Sequence, residues 1–107
     1  MTKRKANPFL GRWRIVWMEM WDQDFIDMEV PGHFTFEKDG QGNFQFGLVQ
    51  GDMDYRVDGS RVEFSWIGND EMDEASGRGC ARIEHGELIG RIFFHRGDDS
   101  EFRAIKA

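Results

Sequence analysis

The chain has 2 prolines and a single cysteine in 107 residues, and its 14 basic residues are outnumbered by 20 acidic ones. No apolar run is long enough to cross a membrane or to serve as the core of a secretion signal. Each shortage excludes something. Cys80 has no partner for an intrachain disulfide, so the fold is not stapled, and a reducing, cytoplasmic setting is the expectation. A net charge of -6 argues against nucleic acid as a main partner, because phosphate binding draws its energy from an excess of Lys and Arg. The absence of apolar spans argues against a membrane partner. The basic start, residues 1–7, reads as a flexible tail, and residues 8–107 read as one domain of ordinary size.

What the chain does have is rings and glycines. The 10 Phe and 4 Trp must fill much of the core, and aromatic side chains favour strands. The 13 glycines supply the positive φ values that tight hairpin turns need.

From Phe34 onward, apolar-alternating segments are separated by turn residues at hairpin spacing. A Gly59-Ser60 turn sets Tyr55 opposite Phe64 and Met53 opposite Trp66, with Arg56 opposite Glu63 on the other face. A Gln50-Gly51 turn sets Leu48 opposite Met53, Phe46 opposite Tyr55 and Phe44 opposite Val57. A His85-Gly86 turn sets Ala81 opposite Gly90 and Gly79 opposite Ile92. Longer loops at 38–42 and 96–100 set Phe36 opposite Phe44 and Phe94 opposite Phe102, and a loop at 69–76 keeps the parity between Trp66 and Gly79. A one-residue slip would reverse every side chain, so agreement across successive hairpins defines a meander with one apolar face.

The first strand, residues 10–21, is apolar on both sides. Trp13, Ile15 and Trp17 share one phase, and Val16, Met18 and Met20 the other. Such a strand suits the closing position of a barrel, paired with the last strand so that no edge remains. Asp22 is placed to N-cap a short helix over 22–28, with Phe25 and Met28 on one side and Pro31-Gly32 ending the segment. The fold class is therefore all-β: an antiparallel up-and-down meander closed into a small barrel of about eight strands, with one short helix between the first and second.

With the strands placed, Phe9-Leu10-Gly11-Arg12-Trp13 opens the first strand with a Gly-x-Trp step. This resembles the start of the calycin barrels, namely lipocalins, fatty-acid-binding proteins and avidins. It is most similar to the Phe-x-Gly-x-Trp opening of the fatty-acid-binding proteins. The resemblance implies that Trp13 closes one barrel end and that an Arg from late in the barrel, here Arg103, packs on its ring. The chain departs from lipocalins in lacking a disulfide and a final helix. It departs from fatty-acid-binding proteins in being too short for ten strands and in lacking an Arg-x-Tyr for a carboxylate ligand. The whole chain also resembles a small bacterial family with no assigned function.

Glu19 shares the phase of Trp13 and Trp17, which points to a carboxylate among rings at the barrel mouth, an environment that raises a pKa and suits an acid, a base or a ligand anchor. A rim residue in water, or a phase shift by a bulge, is the competing reading. Gly79, Ala81 and Gly90 leave room on the inner face. Ligand-binding candidates are thus Trp17, Trp21, Glu19, Tyr55, Trp66 and Gly90. The acidic stretch 68–74 lacks EF-hand spacing, and His33, His85 and His95 lack metal-ligand spacing, so no metal or cofactor is assigned. Cys80 faces outward with no His fixed beside it, and Arg96-Gly97-Asp98 reads as a hairpin loop. The outer arginines Arg78, Arg82, Arg91 and Arg103 alternate with Glu84, Glu87 and Glu101 as a mixed charged surface.

Three functions fit these residues. The leading one is a non-enzymatic binding or interaction protein with a small apolar or aromatic ligand inside the barrel. The second is an enzyme using Glu19 as acid or base on a small hydrophobic molecule, and the third is an interaction module using the outer apolar face. A cavity lined by Glu19 favours the first two, and a solid core the third. Barrel closure gathers Val16, Met18, Met20, Ile89, Phe93 and Ile105 on one outer patch, which points to a homodimer.

Overall fold

A strand that alternates apolar and polar side chains can bury only one of its faces, and a run of such strands hides that face completely by curling until the first meets the last. The computed structural model, which describes residues 7–107, has this form. Eight antiparallel strands follow one another in chain order around a closed barrel: β1 (Gly11–Met18), β2 (His33–Phe36), β3 (Gln41–Phe46), β4 (Val49–Asp58), β5 (Arg61–Asp70), β6 (Asp73–Glu84), β7 (Glu87–Phe94) and β8 (Asp99–Lys106). β1 closes the barrel by pairing with β8, with Trp13 opposite Lys106. Of the expected basic tail, residues 1–6 lie outside the described residues. Asn7 is tied to the barrel, its side-chain amide donating to the Tyr55 hydroxyl at 3.2 Å.

Two hairpins have the register read from the sequence. Gly59-Ser60 sets Tyr55 opposite Phe64, and His85-Gly86, both at positive φ, sets Ala81 opposite Gly90. The others differ. The β3–β4 turn is Gly47-Leu48, so Phe46 faces Val49 and Phe44 faces Gly51. Gly47 holds that position because its φ is +57° and the Phe25 ring lies where its Cβ would stand. Phe34, not Phe36, lies opposite Phe44, and Gly90, not Phe94, lies opposite Phe102. The expected acidic loop is mostly strand, since β5 and β6 run on to a two-residue turn, Glu71-Met72, with φ of 52° and 78°. Every one of these shifts is even, so the phase of each strand is kept, although Leu48 now falls in the β3–β4 turn and Val57, expected inside, is exposed.

The interior is a continuous array of rings. It runs from Phe9 against Phe36 (6.3 Å between centroids) through Phe34 stacked on Phe102 (4.4 Å) to Trp66 against Phe94 (5.1 Å). At one end, α1 (Gln23–Ile26) forms the plug, with Asp22 as its N-cap accepting from the Phe25 N–H at 2.9 Å. The helix is shorter than the sequence implies. It buries Ile26 and half-buries Phe25, while Met28 is exposed. Asp27 latches the following segment, its carboxylate accepting from the Gly32 N–H at 2.8 Å and the Gln23 amide at 3.0 Å. Burial opposes ionisation of Asp27, but those two donors and Arg14 outweigh it and hold the carboxyl below its usual range.

Candidate functional site

The expected ligand slot is occupied by the protein. The Phe64 ring lies over Gly79, and a Cβ at Gly90 would stand 2.8 Å from the Phe102 ring and 2.7 Å from the Ala81 methyl. A Cβ at Gly51 would meet the Phe44 ring at 2.5 Å. The small inward residues are therefore places where rings from neighbouring strands close on the backbone.

The six candidate ligand residues do not converge. Tyr55 is at the Trp13 end, where its hydroxyl donates to the Glu37 carbonyl and its ring meets Phe36 at 5.0 Å. Burial, as the largest cause, pushes the Tyr55 phenol above its ordinary pKa, with Asp39 and Glu37 adding to it against the Asn7 bond. Trp21 is at the opposite end, packed on Phe46 at 5.1 Å and Phe94 at 5.8 Å. Trp66 is buried, with its indole N–H donating to the Phe93 carbonyl at 3.3 Å. Gly90 lies against Phe102.

Trp17 and Glu19 are outside, for a reason that sits in β1. A β-bulge between Ile15 and Trp17 changes the phase of the strand. Trp13 and Ile15 point inward before it, and Met18 points inward after it at 3% exposure, while Trp17 is turned out at 43%. Placing Trp17 inside and Met18 on the outer patch is thus corrected. Glu19 is half-exposed, with one carboxylate oxygen accepting from the Glu101 N–H at 3.1 Å and lying 3.6 Å from Arg91. It sits among charged groups rather than among rings.

The outer face of β1, β8 and β7 carries a defined arrangement. Trp17 is directly opposite Arg103, which is opposite Ile89. The Arg103 guanidinium stands 6.0 Å above the Trp17 ring and 3.7 Å from Glu87. One step along, Arg91 holds Asp99, Glu101 at 3.2 Å and Glu19 at 3.6 Å. Its bond to Asp99 is the main cause of a guanidinium pKa raised above normal. Val16, Met20 and Ile105 are exposed around this core. The cation on Trp13, assigned to Arg103 from the resemblance, is instead Lys106, whose ammonium lies 4.7 Å from the ring centroid and donates to the Leu10 carbonyl.

Among the described residues, no three His, Cys, Asp or Glu side chains are grouped to hold a metal ion, and no helix is long and apolar enough to cross a membrane. Fold and surface together define a small antiparallel β-barrel with a side-chain-filled interior and a tryptophan presented on its outer wall. Compared with protein-family models, with curated proteins and with solved structures, the chain matches none.

Proposed function

We propose that this protein is a non-enzymatic interaction module of calycin-like architecture whose outer β1–β8–β7 face docks a second copy of the same chain. The observation that carries the reading is the bulge in β1. It spends a Trp on the outer wall and a Met on the core, the reverse of what burial alone favours, and Trp is the side chain most useful as an interface anchor. Around Trp17 the face bears Arg103 beside Glu87 and Arg91 beside Asp99 and Glu101. A face carrying both signs is complementary to itself about a twofold axis, where the arginines of one copy meet the carboxylates of the other. The calycin likeness rests on the Gly11-Arg12-Trp13 opening and on a last-strand cation over Trp13.

An apolar ligand within the barrel is the weaker reading, because Phe64 and Phe102 occupy the space that Gly79 and Gly90 leave. Catalysis by Glu19 lacks a substrate pocket among the rings. Sedimentation equilibrium at tens of micromolar tests the proposal. A dimer that Trp17→Ala and Phe93→Glu dissociate without unfolding supports it, and a monomeric parent chain overturns it.

A further inference from the structure

On the opposite side of the barrel the surface has a different chemistry. The outward positions of β2 to β5 align in straight rows across the strands. One row reads His33, Gln45, Gln50, Asn69, each directly opposite the next. The adjoining row reads Thr35, Asn43, Asp52, Ile67. Neither β2 nor β3 contains a Lys or Arg, and none of the ion pairs among the described residues involves either strand.

His33, Asn43, Gln45, Gln50, Asp52 and Asn69 line one furrow. His33 forms its buried end, with 8% of its surface exposed. Its Nδ1 lies 3.0 Å from the Pro31 carbonyl, which only accepts, so Nδ1 is the donor there, and among the described residues Nε2 has no hydrogen-bond partner. Among the described residues, no side-chain hydrogen bond engages the amides of Asn43, Gln45, Gln50 or Asn69. A row of amides with both donors and acceptors free, next to a carboxylate and an unbonded imidazole nitrogen, is a set of groups matched to hydroxyls, which also donate and accept. No Lys or Arg lines the furrow. Arg14 and Arg12 stand on β1 opposite His33 and Thr35, past the ends of the two rows, with Arg14 4.0 Å from Asp27. A phosphate or carboxylate lying along Gln45, Gln50 and Asn69 would therefore meet Asp52 unopposed. Ile67, 68% exposed at the end of the adjoining row, offers an apolar surface to C–H groups.

We infer that this furrow binds a neutral, hydroxyl-rich ligand, a segment of uncharged oligosaccharide lying across β2 to β5 along the His33–Gln45–Gln50–Asn69 row. The site is separate from the dimerisation face and does not depend on it.

The test is an NMR titration of the ¹⁵N-labelled full chain with maltohexaose, cellohexaose and xylohexaose, each to about 10 mM, a range that captures weak specific binding. The expected result is a saturable shift of the Asn43, Gln45, Gln50 and Asn69 side-chain amides by at least one of them. Gln45→Ala with Gln50→Ala should weaken that binding about thirtyfold while the backbone spectrum stays folded, the two lost hydrogen bonds removing about 2 kcal/mol together. No shift with any of the three, or shifts mapping elsewhere, overturns the inference. A response of the same amides to tetralysine alone also overturns it, and assigns the furrow to a cationic partner through Asp52.

Discussion

Phe64 lies directly opposite Gly79 across β5 and β6, and its ring covers the place where a β-carbon on residue 79 would be. The pair works as one unit: the ring fills the barrel because the facing strand has nothing there. Gly79→Ala is expected to destabilise the fold by about 1 to 3 kcal/mol, as overpacking does. Chemical denaturation checks this. Phe64→Leu in the Gly79→Ala background should recover part of the loss, a coupling that two independent sites would not show.

The phase change in β1 predicts opposite outcomes for adjacent residues. Met18→Ala should cost about 2 to 5 kcal/mol, as buried large-to-small changes do. Trp17→Ala, measured where the protein is monomeric, should cost far less, since only a ring half in water and its cation contact are lost. Equal losses at both positions would mean that the strand has no bulge.

At the other end of β1, Trp13→Ala should cost about 3 to 5 kcal/mol, because it empties a buried ring site and removes the indole N–H bond to the Phe9 carbonyl. Lys106→Ala should cost about 0.5 to 1 kcal/mol for the lost cation–ring contact, with Lys106→Arg retaining most of it. Arg103→Ala should leave the Trp13 environment unchanged, as read by tryptophan fluorescence in a variant lacking Trp17.

Asp27 makes one part of the stability depend on pH. Its folded pKa is lower than its ordinary value, because the Gly32 N–H, the Gln23 amide and Arg14 outweigh the effect of burial. The stabilisation is therefore complete above the unfolded carboxyl's pKa, near 3.9, and is lost as pH falls through the lower folded value. Asp27→Ala should cost about 1 to 2 kcal/mol at neutral pH. The gap between variant and parent should close on acidification below about pH 4, as thermal unfolding at a series of pH values would show.

The two faces of the strands were legible in the sequence because alternation has a period of two. Moving the β3–β4 turn from Gln50-Gly51 to Gly47-Leu48 changes every partner, yet Phe44, Phe46, Met53 and Tyr55 stay inside. The exact turn was not legible, since it depends on Phe25 lying over Gly47, a contact between residues far apart in the chain. In β1 the pattern itself was uninformative. Val16, Trp17 and Met18 are all apolar, so nothing in their order marks where the phase changes. The role of Lys106 was hidden for a similar reason, because Arg103 and Lys106 both lie in the last four residues of β8 and only the register with β1 separates them. The furrow residues were visible one by one as polar outward positions. Their alignment into one row requires the correct register of β2 through β5 together.

Closure by β1 and β8 also carries an expectation for the order in which the chain acquires its structure. Residues such as Leu10 and Lys106 meet across the seam from 96 positions apart, so this pairing has the greatest loop-closure cost in the fold and is expected to form late and slowly. Until β8 arrives, β1 has a row of unpaired amides and carbonyls beside Trp13, Ile15 and Met18. That interval is when the chain is most exposed to association with other unfinished copies, and stabilising the seam would shorten it.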